Sequence, residues 1–412
     1  MNVSWQNLGH IALATATAGA FLVTALPDAD AARRASLANN RLIEDKNDVY
    51  LFPQRSLEHT NLLSLEYGAA QGSGSGLFLM GDGSMAFGVG IYRGDLLDAN
   101  LYPYDLGHPN LGQISNPLPG APQPFTILDL FGGFDLGAGS VGVRLAFGSG
   151  GDTAVDIFDE LTADTQNFVA ATIGFSMDGD LRLDTGLNII YSSNSVIDSD
   201  VNISDFNTFG LGATVRGYSA LANELELGFL ADLFFVSAGA LFYAEDADDD
   251  VRLRGSAFGL FGGVGPVFTI DEESVIAGYA VLGHTRSTAP YDIDDEDELR
   301  SFARSTILPG LHVAADIQLL DWLYFRTGAQ YHYGFETSAQ EVDNEGVENA
   351  NNDLPRSTDR FNGFGWRAGL GIQVNNFTLD GAFQAGFLTN GPDFLGGNGN
   401  GMFTSVAAGY TW

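Results

Sequence analysis

From Leu63 to Trp412 apolar side chains return at every second position, segment after segment. Leu63, Leu65, Tyr67 and Ala69 alternate with Ser64, Glu66 and Gly68, and Met85, Phe87, Val89 and Ile91 alternate with Ala86, Gly88 and Gly90. Val141 to Phe147, Leu225 to Phe235, Leu323 to Tyr331 and Phe364 to Val374 repeat the rule. Successive side chains of a strand point to opposite faces, so each segment predicts a strand with one apolar face. Two kinds of break interrupt the alternation. Short ones, such as Gly81–Ser84, Asp178–Asp180, Leu320–Asp321 and Asn375–Asn376, carry turn residues; long polar ones, such as 94–124, 335–360 and 390–400, lie between them. The pattern predicts about sixteen strands, or about fourteen if the weak segments near Leu77 and from Arg252 to Phe268 are discounted, each near the length that crosses a bilayer at a tilt.

The last segment, Gly401 to Trp412, places Met402, Thr404, Val406, Ala408, Tyr410 and Trp412 on one parity, and Phe403 with otherwise small or polar residues on the other. With this closing strand and the strict alternation of turns and loops, the sequence resembles the Gram-negative bacterial outer-membrane β-barrel proteins, and is porin-like. The resemblance implies an all-β, antiparallel up-and-down transmembrane barrel with short periplasmic turns and long extracellular loops, in the cell outer membrane. It also implies that Tyr410 and Trp412 form the signal read by the barrel-assembly machinery, with outer-membrane lipid and lipopolysaccharide as surroundings. A strand-built span must close on itself, because lipid satisfies no backbone polar group.

Composition agrees. The net charge is −34, yet only 17% of residues are charged, against about 25% in an ordinary soluble domain. Such acidity argues against nucleic acid as a partner, and the absence of Cys rules out disulfides and thiolate metal sites. The run Ile11 to Leu26, followed by Ala29 and Ala31, reads as a secretory signal peptide over residues 1–31, although no Lys or Arg precedes it. Residues 32–60 are polar and weakly patterned. They are expected to be a periplasmic lead-in, with a plug inside the barrel as the alternative. The barrel itself would occupy 61–412.

Charges gather on the parity opposite the apolar one: Glu66, Asp129, Arg144, Arg182, Asp184, Arg216, Glu226, Asp232, Arg304, Arg326, Arg367 and Asp380. An Arg facing lipid at mid-depth would cost about 2–4 kcal/mol, so these residues are expected to line a lumen. The principal expectation is a porin-like channel for passive diffusion of small hydrophilic solutes with a preference for cations, homo-oligomerisation staying open. Another is a barrel resembling the long-chain fatty-acid transporters, with an N-terminal hatch and hydrophobic cargo. In Val49–Gln54 that family's hatch signature is matched at Pro53 alone, Phe52 and Gln54 standing where it has Asn and Ala. A closed barrel for anchoring or surface recognition is the third. The acidic loops offer Asp248, Asp250, Asp294, Asp295 and Glu296 as candidate ligands for Ca²⁺ or Mg²⁺, although a solvated anionic surface is the preferred reading and no other cofactor is expected. The chain lacks a nucleophile elbow, a P-loop and a His-Glu-x-x-His motif, so it is not expected to be an enzyme; His312 and His332 share the inward parity.

Overall fold

Seven short breaks become tight turns of two to four residues at one end of the molecule. Their chemistry is local. Asp82 accepts hydrogen bonds from the backbone N–H groups of Ser84 and Met85, both at 3.0 Å, and Asn375 supplies the left-handed φ of 53° that its two-residue turn requires. The first half of this computed structural model comprises β1 (Leu62–Gly68), β2 (Gly74–Gly81), β3 (Met85–Arg93), β4 (Ile127–Asp135), β5 (Ser140–Val155), β6 (Leu161–Met177), β7 (Leu181–Asp198) and β8 (Ser204–Ala222), and the tight turns join β2 to β3 and each later even-numbered strand to the next. The second half comprises β9 (Leu225–Phe242), β10 (Val251–Asp271), β11 (Ser274–Asp294), β12 (Asp297–Leu320), β13 (Leu323–Asn344), β14 (Ser357–Val374), β15 (Phe377–Phe383) and β16 (Phe403–Thr411). The structure describes residues 32–68, 74–93, 127–155, 161–198, 204–242, 251–271, 273–294, 297–344, 357–383 and 403–412. The signal-peptide segment 1–31 lies outside them.

Each strand pairs antiparallel with its sequence neighbours, and β1 pairs with β16 through Leu63 opposite Tyr410, closing a sixteen-strand barrel. The count of sixteen therefore holds and fourteen does not. Strand lengths differ from expectation: β5 to β14 run to between 16 and 24 residues, because the sheet continues toward the loop side well beyond the stretch lipid can cover.

The outer face carries Phe87, Leu145, Ile173, Leu187, Leu260 and Val313, all well exposed. Large side chains on the outside of a closed barrel have only lipid to meet. Trp322 sits at a tight turn and Trp412 stacks on Phe78 at 5.5 Å, where an interfacial aromatic girdle belongs.

The segment before β1 is not a lead-in. It forms α1 (Ala32–Ser36) and two 3-10 turns (Lys46–Tyr50 and Pro53–Leu57), with Leu37, Leu42, Val49 and Phe52 buried. Asp45 caps the first 3-10 turn by accepting from the Asn47 N–H at 2.9 Å, while its own N–H donates to Asp48 at 3.1 Å. The whole segment lies within the barrel.

Candidate functional site

Glycines on the inner wall make room for this plug. A Cβ at Gly142 would collide with the Gln54 nitrogen, one at Gly174 with the Gln54 side chain, and one at Gly186 with the Leu51 carbonyl. Across the barrel, Gly328 faces the backbone of Leu37 and Gly369 faces Ser36. These positions lie on β5, β6, β7, β13 and β14, so the slot runs around the wall. Gly174→Leu is expected to dislodge the second 3-10 turn while the barrel stays folded. Arg55, only 6% exposed in the intact protein, then becomes a trypsin site, and heat-dependent gel mobility of the barrel is unchanged.

Charge fixes the plug in the slot. Arg55 Nη2 lies 2.6 Å from Asp184 Oδ2 on β7, Arg41 Nη1 lies 2.9 Å from Asp232 on β9, and Arg33 Nη2 lies 3.0 Å from Asp316 on β12. Lys46 approaches Glu66 on β1 at 3.4 Å. The signs reverse elsewhere: wall Arg216 bridges plug Asp48 and wall Asp184, and wall Arg182 spans plug Glu44 at 3.3 Å and wall Glu226 at 2.9 Å. Arg326 binds Asp316 at 3.0 Å and Asp380 next to it. Arg144 holds Asp129 at 2.6 Å and lies over the Tyr50 ring of the plug. Burial alone would raise the Asp48 carboxyl pKa; the guanidinium groups of Arg216 and Arg34 outweigh that and hold it below the ordinary carboxylate range. Asp45 is lowered in the same way, burial being overcome by Arg33, Arg34 and Lys46.

Of the twelve inward charges read from the sequence, ten thus form the wall side of the plug's socket or pair with one another inside it. Arg367 also lies on the inward parity, and its carbonyl accepts from Thr327 Oγ1 at 3.0 Å. Arg304 does not belong. A register shift in β12 between Ile307 and Gly310 inserts an extra residue, so Ser305 and Ile307 face inward and Arg304 faces out. A one-residue slip reverses every side chain beyond it, and parity counted across a bulge gives the wrong face. The sequence reading also missed the plug's own Arg33, Arg41, Glu44, Lys46, Asp48 and Arg55, together with wall Asp316.

Beyond the charged level, toward the loop side, the inner wall turns apolar. Ile127, Phe168, Ile190, Val236, Phe261 and Ile307 all face inward and are at most 4% exposed. Phe234 stacks on Phe261 with ring centroids 6.2 Å apart. His312 and His332 meet each other, Nε2 to Nε2 at 3.0 Å, with Tyr279 stacked on His312. On the turn side, a cavity of about 510 Å³ opens beneath the plug, lined among others by Arg33, Glu44, Arg182, Tyr218 and Asp380. Tyr410 faces outward between Leu63 and Phe377 at the barrel seam. Asp248, Asp250, Asp295 and Glu296 lie outside the described residues, as does the side chain of Asp294.

A closed antiparallel barrel with a lipid-facing apolar exterior, tight turns at one end and a folded segment in its lumen has the architecture of a plugged transmembrane β-barrel, the form that outer-membrane barrels take. No protein-family model matches the sequence, and no curated protein matches it. Among solved structures it is similar to the Pseudomonas putida toluene transporter TodX, at 10% identity and a TM-score of 0.39 over 94% of this chain and 97% of that one. It is also similar to the ferric yersiniabactin uptake receptor FyuA from Yersinia pestis, at 9% identity and 0.36 over 84% and 79%. A third is the CymD monoaromatic hydrocarbon channel, at 8% and 0.36 over 95% and 98%. Likenesses this distant say nothing about cargo.

Proposed function

We propose that the protein is a gated outer-membrane channel for small apolar molecules, with residues 32–60 as its gate. The observation that carries this reading is the apolar inner layer of Ile127, Phe168, Ile190, Phe234 and Phe261, set directly outside a plug held by ion pairs. A hydrated cation gains nothing on such a wall, which offers no ligand to replace its water. An apolar molecule gains about 25 cal/mol for each Å² it buries there. The free-diffusion porin expected from charge parity loses its support, because its charges are spent on the plug. The same facts favour the hatch-bearing alternative for hydrophobic cargo.

The test is a reversible lock. The Ser36 Cβ lies 2.6 Å from the place a Cβ would occupy at Gly369, so Ser36→Cys with Gly369→Cys forms a disulfide once the backbones part by about an ångström. The chain contains no other cysteine to compete. Vesicles holding the wild-type protein should take up a small aromatic hydrocarbon faster than they admit sugars or amino acids. Oxidising the double variant should stop hydrocarbon uptake, and reductant should restore it. Uptake unaffected by the lock would exclude gating by this end of the plug. Equal entry of sugars and hydrocarbons would return the protein to the porin reading, and no entry of either would make it a closed barrel.

A further inference from the structure

The register shift that turns Arg304 outward places it in a patch that the lumen does not explain. Arg304 on β12 stands directly opposite Arg286 on β11, and both are exposed on the outer face. Two like charges in directly opposed cross-strand positions repel. Arg360 on β14 is also exposed and outward, on the row of Phe335, Thr306 and His284. Arg304 and Arg360 lie two strands apart and two residues out of register, roughly 12 Å in all at 4.8 Å per strand and 3.3 Å per residue, within joint reach of two long side chains. His284 is exposed beneath Arg286 and shares a hydrogen bond with Thr306 at 2.9 Å. Among the described residues none of the three arginines has an acidic partner, and Glu336, the nearby acid on β13, lies on the inward parity. This occurs in a chain with net charge −34 and only 18 Lys and Arg, five of which are spent in the plug.

Height on the barrel identifies the counter-ion. Immediately toward the tight turns the same strands present Leu282, Leu308, Leu311, Phe364 and Trp366, all strongly exposed and therefore in lipid. The arginines sit at the loop-side edge of that belt, where lipid headgroups lie. Guanidinium binds phosphate through paired, charge-assisted hydrogen bonds.

We propose that Arg286, Arg304 and Arg360 form a binding site for a phosphorylated lipid headgroup of the outer leaflet, lipopolysaccharide being the form that leaflet supplies. The site is independent of what passes through the lumen. The anion removes the Arg286–Arg304 repulsion, so lipid binding and barrel stability are linked: phosphorylated lipid should raise the unfolding temperature.

Mature protein refolded free of lipopolysaccharide provides the test. Binding of lipopolysaccharide in detergent is compared with that of its dephosphorylated form, for the wild type and for Arg286→Gln/Arg304→Gln/Arg360→Gln. The triple variant should bind at least about tenfold more weakly, having lost three cations at the lipid surface. Dephosphorylated lipid should bind the wild type no better than intact lipid binds the variant. If the triple variant misfolds, Arg304→Gln alone and a salt titration of the wild type replace it, both weakening binding. Equal binding by wild type and variant, or indifference to the phosphates, would overturn the proposal. So would complete displacement of the lipid by excess inorganic phosphate, which would make this a site for a free anion.

Discussion

Removing Arg33 to Thr60 is expected to convert a sealed barrel into a conducting one. Sixteen strands at the usual tilt enclose a wall of roughly 16 Å radius, wide enough for an aqueous channel once nothing fills it. In the intact protein that cross-section is occupied by a segment touching wall positions from Gly90 on β3 to Gly369 on β14. The deletion leaves the hydrogen-bonded ladder complete, since the plug contributes no strand. Barrel folding should therefore survive, with heat-modifiable mobility retained. Asp232, Asp316 and Glu66 lose their plug partners and face the water of an open lumen. Steady ion conductance in planar bilayers should rise by at least about tenfold over the intact protein, and its selectivity should shift toward cations along the exposed carboxylates. Cells carrying the deletion should admit bulky antibiotics. An unchanged conductance would mean that the apolar layer of Phe234, Phe261 and Ile307 seals the barrel unaided.

The barrel was legible in the sequence because lipid imposes one rule on every strand. Phe87, Leu145 and Ile173 face lipid for the same reason, and a period of two survives without knowledge of any neighbour. Strand length was not legible, since beyond the lipid belt β12 and β13 continue with no apolar face to mark their limits. Parity failed at Arg304 because a bulge beside Pro309 leaves no periodic trace. Most other charges were placed on the right face, but their role depends on what stands opposite them. Asp184 reads the same whether it lines a water-filled pore or receives Arg55. A signal for the plug did exist. Arg33, Arg34, Arg41, Lys46 and Arg55 concentrate five of the chain's 18 Lys and Arg in thirty residues, and inward glycines such as Gly142 and Gly174 open a slot that a water-filled pore has no need of.

Arg216→Ala should produce the largest effect of any single substitution in the socket. The guanidinium is 1% exposed and serves both sides of the interface at once. Nη2 and Nε bond Asp184 at 2.9 and 3.1 Å, Nη1 bonds Asp48 and also donates to the Arg41 carbonyl at 3.3 Å, and the Phe52 ring lies against it at 4.9 Å. Cutting it back leaves two buried carboxylates facing one another with Arg55 and Arg34 as their remaining cations. Removing one member of a buried ion network costs about 3–5 kcal/mol, because the partners keep their desolvation and lose their attraction. That cost falls on plug docking, not on the ladder, so amide exchange should accelerate by about two to nearly four orders of magnitude across Asp45–Leu57 while β7 and β8 stay protected. The pH dependence follows from Asp48 and Asp45, whose pKa values in the docked plug are lowered by their arginine neighbours. A carboxylate lowered on docking contributes stability above its ordinary pKa and loses it as pH falls through the depressed value. Acid should therefore release the wild-type plug, and Arg216→Ala, lacking the cation that lowers Asp48, should release it at a higher pH. If the variant's plug exchanges no faster than the wild type's, the ionic contacts do not hold it in place, and the glycine slot and buried Phe52 suffice.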